Sequence, residues 1–146
     1  MYYFAFGSNM NFQRMKGERC PTAEFICRGK LEGYRFVYDK DPRSKGAYAN
    51  VIPADADVVW GAVWEVDAPS LEVLDKREGC NAHKKCYERK EMIIEGDDGE
   101  EYEAITYYRA ELQEAEPSAE YQAIVVQGGI DAGLPKDYVE NVLKQY

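Results

Sequence analysis

Glu78 is the acidic residue whose setting best suits proton-transfer chemistry. At about 100° per residue, Leu71, Leu74 and Glu78 fall on one narrow stripe of a helix predicted over residues 67–78. That stripe is the face expected to pack inward. Glu78 also stands in the last turn, where the negative end of the helix dipole disfavours another negative charge. Burial and the dipole both raise a carboxyl pKa, toward the range in which a general acid or base works. The competing arrangement is a helix that frays at Gly79 and leaves Glu78 in water. Asp75, roughly 60° or more from the centre of the stripe, is the weaker carboxylate.

Cys80, His83 and Cys86 form a C-x2-H-x2-C pattern just beyond that helix, and zinc binds both residue types. A structural zinc needs a fourth ligand, which Cys20 or Cys27 would have to bring from a distant strand. Lys84 and Lys85 would add repelling charge beside the ion, so no metal is assigned. His83 is the only histidine. A Ser-His-Asp or Cys-His site would have to use it, inside a Lys-rich loop with no nucleophile-elbow pattern nearby. The chain has no P-loop, no GxGxxG fingerprint and no HExxH. What remains is a carboxylate working with main-chain donors.

Those donors are expected in the first ten residues, MYYFAFGSNM. Residues 2–6 read as a short apolar strand, and Gly7-Ser8-Asn9 as a turn that opens a helix over residues 10–15. A strand ending this way exposes several N–H groups that can hold an anion such as a carboxylate. Gly7 lets a ligand lie against the backbone. The plainer alternative is a strand and a tight turn with nothing bound.

The remaining elements must hold these groups together. Residues 23–39 read as one bent strand or two, with Gly29 and Gly33 as bulge points, followed by a charged loop over 39–46. Residues 48–53 and 58–66 read as strands joined by a polar Ala-Asp-Ala-Asp turn, the second apolar on both faces and therefore central. Asp67 is placed to cap the next helix, Pro69 lies in its first turn and Gly79 ends it. Residues 86–95 and 101–109 form a hairpin around Gly96-Asp97-Asp98-Gly99. A helix follows from Pro117, and a last one covers 136–146.

Composition narrows the partners. The 146 residues carry a formal charge of −9, which argues against a nucleic-acid surface or an anionic membrane. The longest strongly apolar stretch, residues 58–64, is too short to span a bilayer. No secretory leader is visible, so a cytoplasmic location with four reduced cysteines is expected. Twelve tyrosines suit a polar-lined pocket.

Taken in order, several segments resemble the gamma-glutamylcyclotransferase family. YYFAFGSNM is similar to the family's opening strand and its Tyr-Gly-Ser-Asn type of loop. Val59-Trp60-Gly61-Ala62-Val63-Trp64 follows, and Leu74-Asp75-Lys76-Arg77-Glu78-Gly79 resembles its Leu-Asp-x-x-Glu-Gly segment. Tyr87, Ser118-Ala119-Glu120-Tyr121, Gly128 and Gly133-Leu134-Pro135-x-x-Tyr138 continue the likeness over nearly the whole chain. The resemblance implies an α+β fold, a small mixed-strand β-barrel flanked by helices, as one domain over residues 1–146.

It also implies a reaction. In the family, the α-amine of a gamma-glutamyl compound attacks its own γ-carbonyl, giving 5-oxoproline and a free amine or amino acid. By position, Tyr3, Phe4, Ala5, Phe6, Gly7 and Ser8 bind the glutamyl group, Glu78 is the acid/base and Tyr121 contacts the substrate. The implied partner is a small gamma-glutamyl compound, with no cofactor, nucleic acid or membrane; the sequence does not set the oligomeric state. Phe6 departs from the tyrosine of many relatives, and the stretch between Gly79 and Tyr87 is unusually basic, which leaves the released amine open. The alternative is a non-catalytic small-molecule binding or regulatory module on the same fold.

Overall fold

Two long strands form the frame: β2 (Glu24–Lys40) and β3 (Ala47–Glu65) pair antiparallel along most of their lengths. The structure is a computed structural model and describes residues 1–41, 46–79 and 87–146. β1 (Tyr2–Ala5) lies antiparallel to the end of β3, with Tyr2 opposite Glu65 and Ala5 opposite Ala62. β4 (Glu88–Gly96) meets β2 at Gly29 and Lys30. β5 (Glu101–Tyr108) pairs antiparallel with β4 and parallel with β1. The order β1-β3-β2-β4-β5 closes on itself. Helices α1 (Ala68–Glu78), α2 (Ala119–Asp131) and α3 (Lys136–Tyr138) flank the barrel, so the α+β mixed-strand barrel expected above is the fold.

Closure explains the sequence of β3. It lies between β1 and β2, and Val59, Ala62, Val63 and Trp64 are completely buried. Trp64 packs edge-on against Phe12 and Phe25, with ring centroids 5.3 and 5.7 Å away. A further buried cluster ties the end of β2 to the segment that follows β5. The wholly buried Asp39 carboxylate pairs with Arg109 and also accepts from Asn50 Nδ2 (3.2 Å) and the Gln113 N–H (2.6 Å).

Several local expectations are corrected. The Ala-Asp-Ala-Asp segment is not a turn between two strands, because β3 continues through it. Pairing jumps from Glu32–Val58 to Tyr34–Pro53, so residues 54–57 bulge out where Gly33, at φ 82°, bends β2. Both strands turn the same corner, and neither has to break. The second irregularity in β2 falls between Phe25 and Cys27, not at Gly29. β1 stops at Ala5, and a three-residue turn over Ser8–Met10 precedes a loosely wound helix over Gln13–Arg19. There the Cys20 N–H reaches Met15 O, five residues back, at 2.7 Å. The last helix likewise passes from α3 into a wide turn over Val139–Leu143.

Helix α1 follows its signals closely. Asp67 Oδ1 accepts from the Ser70 N–H at 2.9 Å, and Asp67 Oδ2 accepts from the Thr22 hydroxyl at 2.8 Å. Gly79 takes the left-handed conformation at φ 78° and ends the helix, its N–H reaching Lys76 O. Ser118 caps α2 by accepting from the Tyr121 N–H.

Candidate active site

The end of β1 is held from three sides. Trp64 Nε1 donates to Asn9 O (3.1 Å), and Asn9 Nδ2 donates to the Tyr3 hydroxyl (3.0 Å). From α2, Ile124 O accepts Asn11 Nδ2 (3.3 Å) and the Asp131 carboxylate accepts the Phe12 N–H (3.0 Å). The fit is tight enough to select glycines. A Cβ on Gly128 would lie 2.6 Å from the Asn11 nitrogen, and one on Gly7 would lie 2.6 Å from Ala49 Cβ. The Gly7-Ser8-Asn9 turn is thus fixed before any ligand arrives, as an anion cradle requires.

Beside this turn opens a cavity of about 260 Å³. Its walls include Tyr3, Phe4, Phe6, Gly7 and Ser8 from the β1 end, Glu78 and Arg77 from the end of α1, and Tyr121 from α2. Glu78 is half-buried, one turn beyond the fully buried Leu74. Ala5 does not line the cavity; it is 1% exposed, and its carbonyl lies against Gly61. The Cys80, His83 and Cys86 pattern lies outside the described residues. Among the described residues no three potential metal-binding side chains cluster, and Cys20 and Cys27 are free thiols.

Sequence reasoning missed other parts of the wall. Tyr48, Tyr87 and Tyr107 join Tyr3 and Tyr121, so five of the twelve tyrosines face one cavity. Their abundance was the only signal. Two of them satisfy a bare stretch of strand edge: Tyr121 Oη accepts the Ala49 N–H (3.1 Å), and Tyr87 Oη donates to Ala49 O (3.0 Å). Tyr107 Oη donates to Asp75 Oδ1 (2.5 Å), while Asp75 Oδ2 accepts from Arg89 (2.9 Å). Asp75 is thereby committed to a structural bridge.

Three arginines, Arg14, Arg19 and Arg77, also reach the cavity. No salt bridge links them to an acidic side chain among the described residues. Burial, then the neighbouring charges of Arg77 and Arg14, lower the pKa of Arg19. Burial also raises the phenol of Tyr121 to about 12 and that of Tyr3 well above the ordinary tyrosine range. In both, the negative charge of Glu78 adds to the rise, so the carboxylate is electrostatically close to each phenol. The site therefore combines two carboxylates, Glu78 and the buried Asp41, with protonated phenols, free guanidinium groups and a rigid main-chain turn. Such a set can bind anions and move a proton.

Comparison with known proteins gives the same placement. Residues 58–142 match the AIG2-like family. The chain belongs to that family, as its motifs led us to expect of a gamma-glutamylcyclotransferase relative. Human gamma-glutamylcyclotransferase is 29% identical over 145 residues, covering 96% of this chain and 76% of that protein. A solved structure named gamma-glutamyl cyclotransferase superposes with a TM-score of 0.88 at 29% identity, covering 98% of this chain and 85% of the other. The crystal structure of an uncharacterized human protein gives 0.87 at 30% identity, with the same coverage.

Proposed function

We propose that this protein is a gamma-glutamyl cyclotransferase in which Glu78 is the general acid/base. The enzyme class is that of the relatives just described. The mechanism rests on one observation: Glu78 and the Gly7-Ser8 turn border the same cavity, and Glu78's charge is felt by the phenols of Tyr3 and Tyr121. An α-ammonium is protonated at neutral pH and must lose a proton before it can attack. Glu78 takes that proton and delivers it to the departing nitrogen as 5-oxoproline forms. The nucleophile belongs to the substrate, so no serine, cysteine or histidine of the protein has to supply one. The reaction makes one C–N bond and breaks another without redox change, so it calls for no cofactor.

Orientation supplies the rest of the rate. Main-chain N–H groups of Gly7 and Ser8 hold the glutamyl carboxylate or the developing oxyanion, each well-placed donor contributing on the order of 3 kcal/mol. Folding the glutamyl chain into a ring-like conformer in a walled cavity removes much of the entropic barrier. Arg14, Arg19 and Arg77 favour a leaving group that carries its own carboxylate, an amino acid before a plain amine. The free Cys20 and Cys27 thiols suit the reducing cytoplasm. Among the described residues no helix is long and apolar enough to cross a membrane.

The test incubates the protein with a panel of gamma-glutamyl amino acids and gamma-glutamyl amines, with 5-oxoproline read by mass spectrometry. Glu78→Gln should still bind substrate yet turn over at least roughly a hundredfold more slowly, the scale for loss of a general base. Binding without product from any member of the panel would instead make the protein a small-molecule binding module.

A further inference from the structure

Among the described residues, four buried side-chain polar atoms have no hydrogen-bond partner: Asn9 Oδ1, Arg14 Nε, Thr106 Oγ1 and Tyr138 Oη. Two of them, Asn9 Oδ1 and Arg14 Nε, belong to residues that line the cavity. Buried polar atoms are rarely left this way, because an unmade hydrogen bond in a low-dielectric site carries the full desolvation penalty. Asn9 is the sharper case, being only 6% exposed. Its amide is already oriented, with Nδ2 donating to Tyr3 Oη and its backbone oxygen held by Trp64 Nε1. A planar carboxamide fixed by one Nδ2 hydrogen on Tyr3 Oη holds Oδ1 in a set direction as an unused acceptor.

We infer that Asn9 Oδ1 receives the α-ammonium of the glutamyl group and is a catalytic residue that holds the nucleophile. The inference rests on the reaction proposed above. The acceptor stands beside Tyr3, whose phenol feels the charge of Glu78, so an ammonium on Oδ1 has the proton acceptor at hand. Of its three hydrogens, one goes to Glu78. Glu78 returns that proton to the departing nitrogen as the new C–N bond closes the ring and the old C–N bond breaks, and then takes the second. The third remains on the lactam nitrogen, where Oδ1 still accepts it. The proton on Glu78 leaves with the released amine, which departs as an ammonium ion. Keeping one N–H on Oδ1 throughout aims the nitrogen lone pair at the γ-carbonyl. It also makes the site selective for compounds with a free α-amine.

The experiment compares competitive inhibition by 5-oxoproline with that by 3-oxocyclopentanecarboxylate, its carbon analogue, in which CH2 replaces the lactam N–H. The wild type should bind 5-oxoproline on the order of tenfold more tightly, as an unpaired acceptor opposite CH2 predicts. Asn9→Ala, which keeps the backbone oxygen that Trp64 holds, should lose this preference along with much of kcat/KM. A folded Asn9→Ala protein that still prefers the lactam would overturn the assignment while leaving the cyclotransferase reading intact. Should that variant fail to fold, the side-chain carbonyl of Asn9 can be followed in the wild type by carbon-13 NMR. It should shift with 5-oxoproline and not with the carbon analogue; equal responses to both would sink the role. A wild type that binds neither compound and releases no 5-oxoproline would defeat the functional reading itself.

Discussion

Tyr121→Phe removes one oxygen and leaves the ring, so it isolates what the hydroxyl does. The ring keeps its edge contacts with Tyr48 (4.9 Å between centroids) and Tyr38 (6.3 Å). What goes is the acceptor for the Ala49 N–H, at 3.1 Å, on a residue only 6% exposed. Ala49 pairs with Tyr38 of β2 across the ladder, while Tyr87 retains the Ala49 carbonyl on the other edge. The variant thus leaves one buried main-chain donor unsatisfied, at a cost of about 1–3 kcal/mol. At about 3 °C per kcal/mol for a chain of this size, the melting temperature should fall by roughly 3–9 °C. Calorimetry reads that loss, and amide hydrogen exchange locates it, with faster exchange expected at Ala49. Turnover of a gamma-glutamyl amino acid at 25 °C, where the variant remains folded, separates contact with substrate from stability. A melting point within about 1 °C of the wild type, together with unchanged exchange at Ala49, would refute this account of the strand edge.

Arg109→Met should cost about 3–5 kcal/mol, because it strands the Asp39 carboxylate, whose side chain is wholly buried. Denaturant titration should show this loss, and Asp39→Leu in the same chain should recover part of it. Alkaline pH should unfold the protein through its buried phenols. Tyr121 ionises near 10 in the unfolded chain and near 12 in the fold, so its contribution is complete below pH 10 and disappears as pH rises toward 12. Tyrosine absorbance near 295 nm should accordingly rise in two phases, exposed phenols first and the buried group together with unfolding.

Where the chain announces its structure, it does so through single residues with one physical use. Asp67, Pro69 and Gly79 delimit α1 within a residue, and the Leu71, Leu74 and Glu78 stripe gives its inward face. The Gly96–Gly99 turn gives the last hairpin in the same way. The Ala-Asp-Ala-Asp segment misled because polar residues suit a turn and a bulge equally, and only the matching bend of β2 at Gly33 decides between them. The arginines were hidden for a geometric reason. Positions five apart on an α-helix sit about 140° from one another, so Arg14 and Arg19 promised no common face. The wider winding over Gln13–Arg19, together with packing against the end of α1, brings both into the cavity. Tyr48, Tyr87 and Tyr107 come from separate strands and loops, and closure of the barrel alone makes them neighbours.

The parallel seam has a consequence for the order of assembly. Tyr2 and Tyr3 pair with Ala104 and Ile105, about a hundred residues further along, and this contact is what completes the ring of strands. β1 must therefore wait for the much later β5 before it has both neighbours. A contact of such long sequence separation forms slowly, after the β2–β3 and β4–β5 hairpins it joins. A chain arrested before residue 101 would hold the β2–β3 hairpin alone and still possess no finished cradle for a substrate.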